Sequence, residues 1–149
     1  MSVKTIIAAV DFSDISNEII EKAGEFASRF SAHLWILHVA APDPDFVGYG
    51  VGPKHVRQWR ADELHDERKF MQQQADMLKE KGINTSSLLI QGPTAETILK
   101  EISKLNADLI VLGSHGHSTV YELLVGSVTE AMLRKSPCPV LVVPARKQA

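Results

Sequence analysis

The amino-acid sequence predicts an α/β fold: a single domain, residues 1–149, built on a doubly wound, five-stranded parallel sheet with helices on both faces. Short apolar runs alternate along the chain with segments whose apolar residues recur every three or four positions, as strands and helices do. The short runs are almost wholly Ile, Val, Leu and Ala, as expected for strands covered on both faces. A chain of 149 residues, 44% apolar and 23% charged, is long enough for one well-formed core.

Five strands are predicted from the apolar runs. They lie at residues 6–10, 34–39, 88–90 (the closing part of the third strand), 109–112 and 140–143. Pro139 and Pro144 flank the fifth run and bound it at both ends.

Four helices are predicted between the strands. The first has an apolar face made of Ile15, Ile19, Ala23, Phe26, Ala27 and Phe30. The second is a long polar helix over residues 54–81, ended by Gly82, with a buried stripe of Leu64, Met71, Ala75 and Leu78. The third begins at Pro93-Thr94 and buries Ile98, Ile102 and Leu105, and the fourth covers residues 126–135. Residues 42–53 are rich in Pro, Gly and Asp and lack a period, which predicts a loop.

This order of elements also predicts where a ligand would bind. Right-handed crossovers wind such a chain into a sheet whose strand order reverses once, and ligands bind beyond the carboxyl ends of the strands at the reversal. Two segments leave strand ends in a suitable way. One is Val10-Asp11-Phe12 after the first strand, and the other runs from Leu112-Gly113 to Gly116 after the fourth.

The glycine-rich segment has two interpretations on its residues alone. Gly113 and Gly116 allow a tight exit from the fourth strand, and Gly126-Ser127 opens the last helix, where free N–H groups and the helix dipole favour an anion. The segment is neither a Walker A loop nor a GxGxxG motif. Alternatively, Gly113 forms only a turn, and Ser127 with Glu130 forms a capping box that needs no ligand.

A wider pattern resembles one protein family. Gly113-x-x-Gly116, followed by nine residues and Gly126-Ser127, is similar to the nucleotide signature of the universal stress protein family, in its ATP-binding branch. Residues 7–13 resemble that family's first strand and turn, residues 92–98 its third crossover, and residues 126–143 its closing helix and strand. The resemblance covers nearly the whole chain and implies a Rossmann-like sheet of the adenine nucleotide alpha hydrolase type.

The resemblance implies a role for each matching residue toward ATP, or toward ADP or AMP, with Mg²⁺ carried by the nucleotide. Gly116, Gly126 and Ser127 would hold the phosphates, with Val128 at the same helix start. The residues that would line the ribose and the start of the phosphate chain are Leu112, Gly113 and His115. Asp11, in its turn with Phe12, would accept hydrogen bonds from ribose hydroxyls, while Val10 and Val39 would border the adenine.

Three of these positions have plainer alternatives. Asp11 could instead cap the first helix, in competition with Ser13, Asp14 and Ser16. Val39 could be an ordinary core valine. His115 and His117 form an H-x-H pair, but no third ligand lies nearby in sequence, so a dedicated metal site is not expected.

The resemblance and the residues together predict an ATP-binding regulatory protein of the stress response. The alternatives are a slow ATPase and an interaction module that needs no nucleotide. Hydrolysis would need a positioned water, a base and charge stabilisation, and His115, His117 and Glu122 are the only candidates near the phosphates. Any turnover is therefore expected to be slow.

Composition limits the partners and the location. The net charge of −2 offers no basic surplus for a nucleic acid, and no segment approaches the ~20 apolar residues of a membrane span. The single cysteine, Cys138, excludes an internal disulfide, and the N-terminal apolar run is a poor signal peptide, so a cytoplasmic location is expected. The resemblance places strand Val140–Val143 at a sheet edge, paired with the same strand of a second subunit in a homodimer. An apolar edge would otherwise be a liability.

Overall fold

The computed structural model describes residues 2–42, 54–114 and 125–145. Strands and helices alternate along them. They are β1 (Thr5–Val10), α1 (Ser16–Phe30), β2 (His33–Ala40), α2 (Lys54–Glu80), β3 (Thr85–Gln91), α3 (Thr94–Lys104), β4 (Leu109–Gly113), α4 (Ser127–Lys135) and β5 (Val140–Val143).

The five strands form one parallel sheet in the order β3-β2-β1-β4-β5. The chain winds outward from β1 to β3, then crosses back past β1 to β4 and β5. In register, Ile6 of β1 faces Leu34 on one side and Leu109 on the other. The strand order therefore reverses between β1 and β4, and the predicted doubly wound fold is confirmed.

Two hydrophobic cores lie on opposite faces of this sheet, because successive strand residues point to opposite sides. Ile6, Ala8 and Val10 of β1 pack with buried residues of α1 and α2, on what we call the α1/α2 face. Ile7, by contrast, packs with buried residues of α3 and α4, on the α3/α4 face. Helices thus cover both faces, as the near-continuous apolar strands predict.

Some boundaries and burials differ from the prediction. β3 begins at Thr85, earlier than the apolar run, because it is an edge strand that accommodates Ser86 and Ser87. Phe30, expected on the buried face of α1, is 46% exposed at the end of that helix and stacks on Phe26. Leu64 is only half-buried, because α2 packs mainly on the edge strand β3 through its later turns.

The buried residues of α2 are Met71, Ala75 and Leu78, as predicted. Gly82 follows the end of this helix with a left-handed φ of 83°, a conformation that favours glycine. Within the described ranges, no helix has both the length and the apolarity needed to span a bilayer.

Candidate functional site

Asp11 stands at the carboxyl end of β1, before the N-cap position of the following helix. Its Oδ1 accepts a hydrogen bond from the Ser13 N–H at 3.0 Å, which closes a short turn after the strand. α1 begins at Ser16 with Ile15 as its N-cap. Asp11 is therefore not the N-cap residue of this helix. The Asp11 side chain is exposed at the strand end.

Phe12 turns its ring to the α1/α2 face. Its backbone is left-handed, with a φ of 62°, which is uncommon for a bulky residue. The ring lies 4.2 Å from the His38 ring and 5.3 Å from the Phe70 ring, measured between centroids. Val39 and Leu112, two other predicted ligand residues, belong to the core on the α3/α4 face. Phe12 and these residues therefore lie on different faces of the sheet.

His38 is buried and has a defined hydrogen bond. Its Nδ1 lies 2.8 Å from the backbone oxygen of Val10. Because a carbonyl oxygen can only accept, Nδ1 carries the proton and donates. His38 thus fixes the end of β2 against the end of β1, beside Val39, which is 9% exposed.

The carboxyl end of β4 is joined to β5 and α4 through Ser114. The Ser114 N–H donates to the Val143 oxygen at 2.9 Å, and the Ala145 N–H donates to Ser114 Oγ at 2.9 Å. The Gly126 N–H donates to the Ser114 oxygen, also at 2.9 Å. The two ends of the predicted glycine-rich loop are therefore held together. His115 and Gly116, like His117 and Glu122, lie outside the described residues.

The N-cap residue of α4 is a glycine, so the cap position itself supplies no side-chain hydrogen bond to the helix start. Gly126 is the N-cap and Ser127 is the first helical residue, so the predicted capping box does not form. Glu130, which the box requires, pairs instead with Arg134 at 3.0 Å. The first intrahelical bond is Glu130 N–H to the Gly126 oxygen, at 2.9 Å. The N–H groups of Ser127 and Val128 precede that bond and have no acceptor within the helix.

Thr129 holds this helix start against β4. Its hydroxyl donates to the Gly113 oxygen at 2.6 Å, and the residue is 3% exposed. Sequence reasoning missed both Thr129 and Ser114 as parts of the site. Ser114 occupies an unspecified position of the glycine signature, and Thr129 follows the helix start without a distinctive motif, so neither gives a signal in one sequence.

Apart from Phe12, the predicted residues that the structure describes converge at the carboxyl ends of the strands. Val10 and Asp11 end β1, Gly113 ends β4, and Gly126 to Val128 open α4 beside Gly113. The crevice at these ends lies between β1 and β4, where the strand order reverses. A carboxylate thus flanks one side of the crevice and a helix start with its positive dipole end flanks the other. Such a pair suits a ligand with hydroxyl donors at one end and negative charge at the other.

The chain matches known proteins along nearly its whole length. The family model for the universal stress protein family matches residues 2–144. The chain is 34% identical to universal stress protein A homolog 1 of Coxiella burnetii, with 96% of this chain and 97% of that protein covered. It is 32% identical to a universal stress protein of Thermus aquaticus, with 94% and 98% covered.

Solved structures show the same fold. Universal stress protein UspA from Lactobacillus plantarum superposes with a TM-score of 0.84 at 24% identity, over 96% of this chain and 99% of that one. A universal stress protein in complex with cAMP gives 0.72 at 23%, over 97% and 98%. The universal stress protein from Archaeoglobus fulgidus in complex with dAMP gives 0.65 at 18%, over 95% and 98%. The family match and the similarity to curated relatives lead to one conclusion: this chain belongs to the universal stress protein family.

Proposed function

We propose that this chain, as one cytoplasmic domain, binds ATP in the crevice between β1 and β4 and acts as a nucleotide-dependent regulator in the stress response. The observation that carries the proposal is the start of α4, where the N–H groups of Ser127 and Val128 precede the first intrahelical bond, held beside the end of β4 by Thr129. Backbone donors at a helix start, with the helix dipole behind them, bind phosphate well.

The phosphates would lie against the N–H groups of Ser127 and Val128. The Ser127 side chain is exposed, so its hydroxyl can add a further donor. The N–H of Gly126 already donates to Ser114, and the part of Gly126 is to let the phosphate approach the backbone closely. Gly116 would face the phosphates from the loop, and Mg²⁺ would arrive bound to them.

The nucleoside would lie toward β1 and β2. Asp11 offers carboxylate oxygens to the ribose hydroxyls, and Val10 and Val39 would border the adenine. Leu112, Gly113 and His115 would line the path between ribose and phosphates. Two proteins of this fold have been solved with cAMP and dAMP, which supports an adenine nucleotide as the ligand class. At 23% and 18% identity they support the class of ligand and not its individual contacts.

Slow ATP hydrolysis at the same site is the second candidate function. The side chains that hydrolysis would use, His115, His117 and Glu122, lie outside the described residues, whereas the helix start that would bind the phosphates is described. Single-turnover measurements with excess enzyme distinguish the two. ATP cleavage at rates typical of kinases, about 1–100 per second, would contradict a binding regulator.

One substitution tests the phosphate position. Ser127→Asp adds a carboxylate at the first residue of α4, where it would repel phosphate. We expect ATP affinity, measured by calorimetry, to fall by about tenfold or more, because charge-assisted hydrogen bonds of about 1.5–3 kcal/mol are replaced by repulsion. The fold should not suffer, because an acidic residue in the first turn of a helix is favourable by about 0.3–1 kcal/mol.

Thr94→Asp is the matched control. Thr94 is the exposed first residue of α3, so this variant also adds one carboxylate at a helix start. Equal ATP affinities of the two variants would contradict the proposed phosphate position. Gly116→Asp should also abolish binding, and mass spectrometry of the purified protein would show which nucleotide it carries. Protein that carries none, and shows no thermal shift with ATP, would favour the nucleotide-independent module.

A further inference from the structure

Among the described strands, only β2 pairs with the last two residues of β1, immediately before Asp11. The register of β1 with β4 reaches Ala8 and Val111, whereas its register with β2 continues to Val10 and His38. The end of β1 is therefore paired on one side only. The divergence of β1 from β4 opens the crevice of the proposed nucleotide site, and it leaves the approach to Asp11 dependent on contacts with β2.

A side chain of β2 reinforces this one-sided pairing. His38 lies beside Val10 in register, and its Nδ1–H donates to the Val10 oxygen at 2.8 Å. His38 is only 8% exposed, and a hydrogen bond in a buried place is electrostatically stronger than one in water. The Val10 oxygen belongs to the planar peptide group that leads into Asp11. The bond therefore sets the direction in which Asp11 leaves the strand.

The surroundings of the His38 ring keep Nδ1 directed at the Val10 oxygen. The centroid of the Phe12 ring lies 4.2 Å from that of His38, and Glu67 Oε2 lies 3.7 Å from His38 Nε2. The turn after β1 and helix α2 thus enclose the ring from two sides. A buried ring packed in this way has little freedom to turn its donor elsewhere.

We propose that His38 is a positioning residue for the nucleotide site. It does not contact the nucleotide; it holds the peptide before Asp11, so that the carboxylate meets the ribose hydroxyls. This inference rests on the proposed function, in which Asp11 contacts the ribose. Binding groups must be held within about 0.5 Å of their productive position, so a loosened peptide should weaken the ribose contact in particular.

Two amide substitutions separate the hydrogen bond from the bulk of the ring. In asparagine the amide nitrogen is bonded to Cγ, as Nδ1 is in histidine, so His38→Asn can still donate to the Val10 oxygen. Glutamine carries its amide one carbon farther out, so His38→Gln places the donor toward Glu67 instead. By calorimetry, ATP affinity should stay within about twofold for His38→Asn and fall about three- to tenfold for His38→Gln, as the loss of one hydrogen bond produces.

A second nucleotide shows whether His38 acts through Asp11. Dideoxy-ATP lacks both ribose hydroxyls, so the unmodified protein should prefer ATP, and His38→Gln should reduce this preference as Asp11→Ala does. In the double variant, His38→Gln should add no further loss of ATP affinity to that of Asp11→Ala. His33→Asn is the matched control. It breaks the 2.8 Å hydrogen bond between His33 Nε2 and Ser86 Oγ at the other end of β2, and it should keep the preference for ATP.

Hydrogen exchange in the nucleotide-free protein tests the geometry by itself. The Ser13 N–H donates to Asp11 Oδ1 at 3.0 Å, so its exchange reports on the turn after β1. The Ser114 N–H, which donates to the Val143 oxygen at 2.9 Å, reports on the other side of the crevice. His38→Gln should accelerate exchange at Ser13 relative to Ser114, whereas general destabilisation would accelerate both.

The outcomes distinguish a failure of this inference from a failure of the proposed function. An unmodified protein that does not bind ATP would overturn both. ATP binding with an unchanged preference over dideoxy-ATP in His38→Gln would overturn the role of His38 and leave the nucleotide site standing. Equal losses of affinity in His38→Asn and His38→Gln would show that His38 only fills space, and unchanged exchange at Ser13 in His38→Gln would show that the bond to Val10 does not hold the turn.

Discussion

At the scale of single residues, Phe12 shows that a position can be close to a site in sequence and lie outside it in space. Its left-handed backbone, which costs about 1–2 kcal/mol in a residue with a side chain, points the ring between His38 and Phe70. Asp11, one residue earlier, remains at the carboxyl end of β1. A motif match assigns both residues to the ligand, and only the backbone angle separates them.

Phe12→Ala should therefore affect stability more than nucleotide binding. Losing a half-buried ring that packs on two others should cost about 2–3 kcal/mol, less than the about 3–5 kcal/mol of a fully buried phenylalanine. ATP affinity should change by less than about threefold, since the ring packs on the α1/α2 face. Denaturant unfolding and calorimetry measure the two effects. Asp11→Ala is the comparison: it should lower ATP affinity more than it lowers stability. A larger loss of affinity from Phe12→Ala than expected would show that Phe12 belongs to the site.

His33 makes stability depend on pH. Burial, and then the nearby positive charge of Lys79, lower the pKa of His33 below its usual value. The ring stacks on Trp35 at 4.8 Å, and its Nε2 lies 2.8 Å from Ser86 Oγ. The unfolded chain, with a pKa of about 6.5, then binds a proton more readily than the folded chain does. The stability from neutral His33 is full above that pH and is lost as pH falls toward the lowered folded pKa.

His33→Gln should consequently reduce the loss of stability on acidification. We expect the urea midpoint of the variant to fall less between about pH 7.5 and pH 5 than that of the unmodified protein. His65→Gln, at an exposed position on α2, controls for the loss of one histidine. Parallel pH profiles for His33→Gln and the unmodified protein would show that His33 does not titrate differently in the two states.

At the scale of elements, the spacing of apolar residues predicts most strands and helices correctly but does not predict where some of them begin. β1 and β4 are buried on both faces, so their unbroken apolar runs predict them directly. The start of β3 could not be predicted in this way, because an edge strand can contain Ser86 and Ser87 without an apolar run. The sequence at the start of α4 has the spacing of a capping box. In the structure Gly126 is the N-cap residue, and Glu130 forms an ion pair with Arg134.

The candidate site was predictable to a similar extent. Spacing locates Gly126 and Ser127 at a helix start, and strand order locates Asp11 and Gly113 at the carboxyl ends of neighbouring strands. The bonds that hold these parts together join residues distant in sequence, such as Ser114 with Ala145 at 2.9 Å. They depend on the register of β4 against β5, which a single sequence does not specify.

The α4 helix start allows a direct comparison of two neighbouring residues. Thr129→Val keeps the shape but removes the hydrogen bond to the Gly113 oxygen, so we expect a loss of about 1–2 kcal/mol in the free energy of unfolding. Glu130→Gln removes only an exposed pair with Arg134 and should cost less than about 0.5 kcal/mol. Chemical denaturation of both variants measures this. If Glu130→Gln costs as much stability as Thr129→Val, Glu130 would have to contribute to the helix start as a capping box requires.

At the scale of the whole molecule, the strand order leaves β5 at one edge of the sheet and β3 at the other. β3 is flanked by the long helix α2, which packs mainly on it. β5 is short and wholly apolar, and Leu133 of the preceding helix is 56% exposed. No strand of the described residues pairs with the outer side of β5. An apolar edge strand promotes pairing with another chain, and a twofold axis beside β5 would pair it with its own copy and close the assembly. The homodimer through Val140–Val143 that the resemblance implies stays a prediction.

Val142→Lys tests this dimer. Val142 is half-buried and belongs to neither hydrophobic core, so the substitution should leave the subunit folded. Across a twofold interface it would bring two lysines together, and like charges facing each other are destabilising. Light scattering at micromolar concentration should give a dimer for the unmodified protein and a monomer of about 16 kDa for the variant, as calculated for one chain of 16.4 kDa. Met77→Lys replaces a 54%-exposed apolar residue on α2, the helix that packs on the opposite edge strand, and should remain a dimer. An unmodified protein that is monomeric under these conditions, or a Val142→Lys variant that stays dimeric, would exclude β5 as the interface.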